Sequence, residues 1–373
     1  MSMHDATKVR EWSPHLCVGY DFFAWMSLLA RNRFAVHPSL WYVAGITTGV
    51  SFGHTVLRWL QHGQYGRRIA ATRIDRPPIF IVGHWRTGTT MLHEWMILDE
   101  RFTFPNTYQC LVPGHLLLTE KFFRRWMNWL LPDRRPMDNM EVGWGRPQED
   151  EFALGLLGAA SPYADIHFPN RPPLDPASLS LDGLPPRRLA EWRRIFRRYV
   201  QTLTFRDPRR LVMKSPPHMA RIPHLLELFP GAKFVHIMRN PYAVFSSTVN
   251  LWKKLYTKHG LQKPDFAHLE ERVLKTFTQM YSHFEDGRKC VPEGQFHEIR
   301  YEELVADPAG QMGALYERLD LGGFAEYLPR LEESLRRNAG YEVNRWKLDA
   351  DSRAKVRGHW GEVIDRYGYA EPT

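Results

Sequence analysis

Hydrophobic positions along this chain come in two patterns. Short unbroken apolar runs appear at Pro78-Ile79-Phe80-Ile81-Val82, Leu211-Val212-Met213 and Phe234-Val235-His236-Ile237-Met238, each bounded by Gly, Pro or charged residues. Runs of this length without polar alternation predict strands buried on both faces, the environment of a parallel sheet. Parallel strands are therefore expected near residues 79–82, 211–214 and 233–238, with Phe296-His297-Glu298-Ile299-Arg300 as a last strand. The second pattern is helical. From Pro186 through Arg210, Leu189, Trp192, Phe196, Tyr199 and Leu203 recur at helical spacing while Arg193, Arg194, Arg197 and Arg198 fill the opposite face. That predicts a helix with an aromatic stripe on the core and a wet cationic side. Further helices are expected after Asn240-Pro241 and from Gly310 through Leu319. Proline-punctuated loops at 168–173 and 184–186 set residues 111–205 apart as a helical insertion. The fold class is α/β: a parallel sheet flanked by helices, with helical N-terminal and inserted segments.

Residues 1–77 read as a separate helical segment ahead of a main domain at 78–373. Phe22 to Ala30 is apolar but too short to cross a bilayer. Phe34 to Leu57 carries no Asp, Glu, Lys or Arg, yet Pro38, its glycines and several Ser and Thr keep it weakly apolar. It predicts buried or membrane-interfacial helices rather than a span. Trp12, Trp25, Trp41, Tyr42 and Trp59 suit packing against the domain, a membrane interface or an apolar acceptor cleft. The start, Met1-Ser2-Met3-His4-Asp5, has no basic stretch ahead of an apolar core, unlike a secretory signal.

Composition narrows the class. At 373 residues the chain exceeds the roughly 250–300 at which single cores stop growing, so additions to one large domain are expected. An apolar content of 43% argues against disorder, and Cys17, Cys110 and Cys290 are too scattered for a disulfide frame or a zinc site. A reducing, cytoplasmic setting follows. The net charge of +9 suits an anionic ligand, and no basic block interleaved with aromatics picks out nucleic acid.

The sharpest chemistry sits where the first strand ends. Gly83-x4-Gly88-Thr89-Thr90 turns a strand into a helix through a glycine loop, which lets backbone N–H groups approach an anion at the positive end of the helix dipole. The spacing nearly matches G-x-x-x-x-G-K-[ST], but Thr89 stands where the lysine reaching the β/γ-phosphates belongs. A P-loop NTPase-like phosphate nest is expected, though not an ordinary NTPase. Arg86, inside the loop, would aim its guanidinium at the bridge between a bound phosphate and a transferred group. The plainer reading is a tight turn with one solvated arginine. Farther on, Arg239 leaves the carboxyl end of a strand, where open α/β sheets place ligands, and Ser247 follows two turns into the next helix. Together they could share a second phosphate.

These stretches resemble the sulfotransferases that use 3′-phosphoadenosine-5′-phosphosulfate (PAPS), a single α/β domain related to nucleotide kinases. Gly83 to Thr90 looks like their 5′-phosphosulfate loop, with Thr87, Gly88, Thr89 and Thr90 on the 5′-phosphate. Arg86 takes the place held by lysine in cytosolic members and by arginine in tyrosylprotein-type and many bacterial ones. Arg239 and Ser247 match the pair on the 3′-phosphate, Lys214 in Leu211–His218 resembles the second lysine at the sulfuryl group, and Tyr301 resembles a tyrosine beside the nucleotide. The resemblance covers roughly residues 78–110 and 205–320. It implies PAPS as co-substrate, 3′-phosphoadenosine-5′-phosphate (PAP) as product and no metal, with Arg86 and Lys214 neutralising charge on the bridging oxygen. A charged tail at Trp346-Lys347-Leu348-Asp349 and Lys355–Gly358 would fold over the nucleotide, and Arg357-Gly358 only loosely echoes the basic-glycine segment of cytosolic members.

The catalytic base departs from the family pattern. Cytosolic members carry a histidine two residues after the second lysine, where this chain has Pro216, and the glutamate of tyrosylprotein-type members is missing around Gln109. His218, Glu149 and Glu151 are the candidates, with His115 and His93 behind them; the acidic trio at 149–151 could equally be a helix N-terminus suited to its dipole. The expected function is sulfuryl transfer to a hydroxyl or amine of a small-molecule, lipid or glycan acceptor, with peripheral membrane contact as a further expectation. A P-loop nucleotide kinase or ATPase and a non-catalytic membrane-surface binder are the rivals. Oligomeric state and acceptor identity have no motif to read.

Overall fold

The computed structural model describes residues 14–127, 143–337 and 348–371; Met1–Asp5, Trp12 and Trp346-Lys347 lie outside the described residues. The apolar runs become a five-stranded sheet: β1 (Ile79–Val82), β2 (Phe102–Thr103), β3 (Arg210–Lys214), β4 (Lys233–Met238) and β5 (Phe296–Arg300), in the order β2-β3-β1-β4-β5. Every pairing is parallel. β2 escapes a sequence reading because two residues carry no periodicity. Central β1 pairs Ile81 with Lys214 on one side and Val82 with His236 on the other, so the carboxyl ends of β1, β3 and β4 emerge together.

Helices surround this sheet. Ahead of it come α1 (Phe22–Arg31) and α2 (Trp41–Ala70), and α3 (Thr89–Met96) follows β1. Between β2 and β3 the chain forms α4 (Thr107–Leu111), α5 (Leu116–Trp126), α6 (Asp150–Leu156) and α7 (Pro186–Arg206). Then α8 (Ile222–Leu228) joins β3 to β4, and α9 (Pro241–His259) and α10 (Leu269–Arg288) join β4 to β5. The chain closes with α11 (Tyr301–Ala306), α12 (Pro308–Arg318), α13 (Phe324–Arg337) and α14 (Ala350–Arg366).

Strand alternation explains the two layers of core. Phe80, Met213 and Phe234 face one side and pack with α7, α8 and α10, whereas Ile79, Ile81, Val212 and Ile237 face the other and pack with α3, α12 and α13. The aromatic stripe of α7 does as predicted: Phe196 meets Phe80 and Phe229. α7 stops at Arg206 because Pro208 disfavours helix at the residue before it. Asn240 caps α9 through Tyr242 N, with Pro241 in the first turn. The charged tail is α14, whose Trp360 stacks on Phe277 at 3.8 Å between ring centroids and whose Arg357 pairs with Asp365.

α1 and α2 form a third cluster. Trp25, Leu28 and Val43 pack with Leu156 and Phe168 of the segment before β3, and Asp21 receives Arg58 at 2.8 Å. Trp25 is fully buried, but Trp41, Tyr42 and Trp59 point outward, so packing accounts for only part of this aromatic set. Among the described residues no helix is long and apolar enough to cross a membrane.

Candidate active site

The loop after β1 is shaped by two glycines that nothing larger could replace. A Cβ at Gly83 would lie 2.5 Å from the Ile237 carbonyl and 2.9 Å from Thr87 Oγ1, and one at Gly88 would lie 2.5 Å from the Tyr301 ring. Gly88 also has φ of 101° and Arg86 a left-handed φ of 70°. Thr87 Oγ1 donates to the His84 carbonyl at 2.8 Å, closing the turn that delivers the chain into α3. By helix geometry the first N–H groups of α3 have no partner within the helix, so they face the loop as anion donors.

Four of the expected residues converge on this loop. Arg86 Nε donates to Ser247 Oγ at 2.8 Å, Arg239 Nη1 donates to the Arg86 carbonyl at 3.2 Å, and the Arg239 guanidinium sits 4.3 Å from the centroid of the Tyr301 ring. Strand order is the cause: β4 lies beside β1, so the residue that ends β4 reaches the loop that ends β1. On the other flank β3 delivers Lys214, 2% exposed, whose Nζ donates to Thr90 Oγ1 at 3.3 Å and to Glu149 Oε1 at 2.7 Å.

Glu149 stands just before α6 with its second oxygen accepting from the Tyr163 hydroxyl. Trp85 Nε1 in turn donates to that hydroxyl at 3.0 Å. Burial, with the Glu149 charge beside it, holds the Tyr163 phenol well above its usual range, so it stays protonated and donates. Trp252 packs at 5.4 Å from Trp85, and Phe152 at 4.8 Å from Tyr163, giving Glu149 an aromatic wall. Trp85, Tyr163 and Trp252 went unread in the sequence. Only Trp85, inside the loop itself, carried any signal.

The remaining carboxylates turn inward. Asp150 Oδ2 meets His218 Nε2 at 2.6 Å, and Asp150 Oδ1 accepts from Ser215 Oγ at 3.1 Å. Burial alone would raise the Asp150 carboxyl, but the charge and hydrogen bond of His218 and the Ser215 hydroxyl hold it below its ordinary value. His218 is fully enclosed between Phe80 and Phe196. Glu151 makes a two-pronged pair with Arg221 at 2.6 and 3.0 Å, both side chains fully buried. His93 is buried with Nε2 3.1 Å from the Val212 carbonyl, and His115 stacks on His54 of α2. Glu149 is therefore the candidate base that shares a contact with Lys214. Among the described residues no group of three or more His, Cys, Asp or Glu could hold a metal ion.

Residues 77–326 match the model of the family described as the sulfotransferase family. The chain is 48% identical over 364 residues to the omega-hydroxy-beta-dihydromenaquinone-9 sulfotransferase Stf3 of Mycobacterium bovis, covering 98% of this chain and 94% of that protein. The protein of that name from Mycobacterium tuberculosis matches to the same extent, with 48% identity over 364 residues. In fold, the chain is similar to sulfotransferase STF9 from Mycobacterium avium, with a TM-score of 0.66 at 19% identity over 98% of both chains. It is also similar to STF1 from Mycobacterium tuberculosis, with a TM-score of 0.56 at 17% identity over 91% of this chain and 94% of that one.

Proposed function

The chain belongs to the sulfotransferase family, and on that premise we propose that its acceptor is an ω-hydroxylated lipid of menaquinone type. It is an enzyme that moves a sulfuryl group from PAPS to a hydroxyl or amine. The observation that carries the acceptor reading is 48% identity, over nearly the whole chain, to proteins named for sulfation of such a lipid. The aromatic wall of Trp85, Phe152, Tyr163 and Trp252 beside Glu149 supports it, because an apolar chain needs surface rather than polar partners. The same reading puts the enzyme in the cytoplasm, in peripheral contact with a membrane; the unpaired Cys17, Cys110 and Cys290 fit a reducing setting.

The residues fit the donor they would hold. A nucleotide that carries anionic groups on both its 3′ and 5′ sides asks for cations and N–H donors without carboxylates among them, and the loop and its neighbours offer Arg86, Arg239, the Ser247 hydroxyl and the start of α3. Gly83, Thr87, Gly88, Thr89 and Thr90 with Arg86 would take the 5′-phosphate side, and Arg239 and Ser247 the 3′-phosphate, with Tyr301 beside the nucleotide. PAPS supplies the sulfuryl group and departs as PAP. Lys214 is placed to neutralise charge growing on the departing phosphate oxygen, next to Thr90. Glu149, held by Lys214 and Tyr163, is placed to take the proton of the attacking hydroxyl. His218 and Glu151 act at one remove, as buried supports of the segment that positions Glu149 and Lys214.

Incubation with labelled PAPS and an ω-hydroxylated menaquinone in detergent, followed by mass spectrometry, tests the reading. Label is expected on the lipid. Transfer to water-soluble phenols with none to the lipid would remove the acceptor, and folded protein that does not bind PAP would remove the site.

A further inference from the structure

The middle of α2 is built inside out. Between the buried apolar Val43 and Ala44 at one end and Ile69 at the other, its protein-facing side carries Thr47, Ser51, Thr55 and Gln61, all buried, whereas Tyr42, Ile46, Phe52, Val56, Trp59 and Leu60 are 36% to 65% exposed. A helix packed on a soluble domain normally shows the reverse arrangement. The inner polar groups are satisfied: Thr55 Oγ1 accepts from Phe22 N at 2.8 Å, and Gln61 donates to the Gly114 carbonyl at 3.2 Å and accepts from Leu117 N at 2.8 Å. The outward apolar side is thus not needed to hold the helix in place. It continues onto α1, where the rings of Phe22 and Phe52 lie 6.3 Å apart and those of Phe23 and Trp59 6.4 Å apart.

Charge follows the same division. Between residues 14 and 74 the only carboxylate in the sequence is Asp21, which is buried and paired with Arg58. At the end of α1, Arg33 and Phe34 take consecutive left-handed φ values of 53° and 52° and are both exposed. α5, tied to α2 through Gln61, exposes Phe122 and Trp126 among Lys121, Arg124 and Arg125. Apolar bulk beside cations, without exposed acid, matches the chemistry of an anionic bilayer surface.

We propose that the α1–α2 face docks on a bilayer containing anionic lipids, with α2 lying in the plane of the interface. The proposal deepens the lipid-acceptor reading and rests on it for its purpose. No described helix is long and apolar enough to cross, so α2 lies on the membrane and does not span it. The docked face packs on the segment that carries Tyr163. Trp25 and Leu28 pack with Leu156 and Phe168, and a Cβ at Gly158 would meet Ala24 at 3.2 Å, in the stretch that carries Tyr163. A second copy of this chain is the other occupant such a face could take, since Gly45, Gly49 and Gly53 leave open space along it. A two-fold contact would set the same cationic rim against itself, which favours the lipid.

Flotation of the full chain with vesicles of phosphatidylcholine and phosphatidylglycerol, against phosphatidylcholine alone, tests this. Binding is expected with the anionic vesicles, with a blue shift of tryptophan emission. The combined variant Ile46→Asp/Phe52→Asp/Trp59→Asp should lose vesicle partitioning by roughly tenfold or more, while PAP affinity and sulfation of a short-chain, water-soluble hydroxylated acceptor stay at parent levels. A parent protein that does not float, or a variant that floats as well as the parent, would overturn the proposal. So would light scattering that shows a dimer dissociated by the variant without vesicle binding. Flotation with no lipid sulfated would leave the docking standing and remove the acceptor reading; sulfation of detergent-dispersed lipid without flotation would do the opposite.

Discussion

The two flanks of the candidate site are built by opposite rules. On the flank proposed for the donor, Gly83, Arg86, Gly88, Arg239, Ser247 and Tyr301 fix one another through backbone conformation and short polar contacts. On the flank proposed for the acceptor, Trp85, Glu149, Tyr163 and Trp252 come from separate elements and meet through ring packing around one carboxylate. A phosphate has fixed charge and shape, so its cradle demands particular φ angles and donors. An apolar acceptor demands only surface, which many side-chain sets can supply.

The sharpest way to break this contrast is at Glu149. Glu149→Gln keeps the shape but not the proton acceptor, and turnover should fall roughly 100- to 10,000-fold with PAP affinity unchanged in calorimetry. A rate within about tenfold of the parent would take Glu149 out of the chemistry. Arg221→Met separates the neighbouring carboxylate by its consequence: it strands buried Glu151 and should cost about 3–5 kcal/mol in urea unfolding. An unchanged midpoint would show that the pair does not support the fold.

Acid should loosen both flanks alike. His84 of the glycine loop and His167, at the end of the Pro162–His167 turn that carries Tyr163, are each held down to about 4 by burial, below the ordinary 6.5. The unfolded chain therefore takes up these protons first, so this stability is whole above 6.5 and is lost as pH falls toward 4. Each contributes on the order of 3 kcal/mol, read as urea midpoints across that window. A flat profile would contradict the burial argument. Arg239→Ala should weaken PAP by about 1.5–3 kcal/mol through loss of a charge-assisted contact. Equal affinity would move the 3′-phosphate elsewhere. The smallest effect is expected at Gly49, where a Cβ meets open space: Gly49→Ala should raise stability by about 0.5–1 kcal/mol, unlike any side chain at Gly83.

Legibility followed the same division. The long strands and the glycine loop could be read because each depends on residues close in sequence. Glu149, Asp150 and Glu151 could not be sorted in advance. They are consecutive at the start of one helix, yet they bind Lys214, His218 and Arg221 respectively, because each helical residue turns its side chain to a new direction. His218, close to Lys214 in sequence, is carried inward by the short turn at Pro216–Ala220. In the first half of α2, up to Leu57, the absence of charge was visible, but not that the hydroxyls of this helix would face in and its aromatics out.

The sequence by itself determined the parallel sheet and the glycine loop, since hydrophobic period and glycine conformation act over a few neighbouring bonds. Tertiary structure alone decided which carboxylate faces Lys214, which rings gather beside it and which face of α2 is left to the surroundings. Those outcomes depend on packing between elements far apart along the chain, where side-chain direction is set by the neighbour it meets.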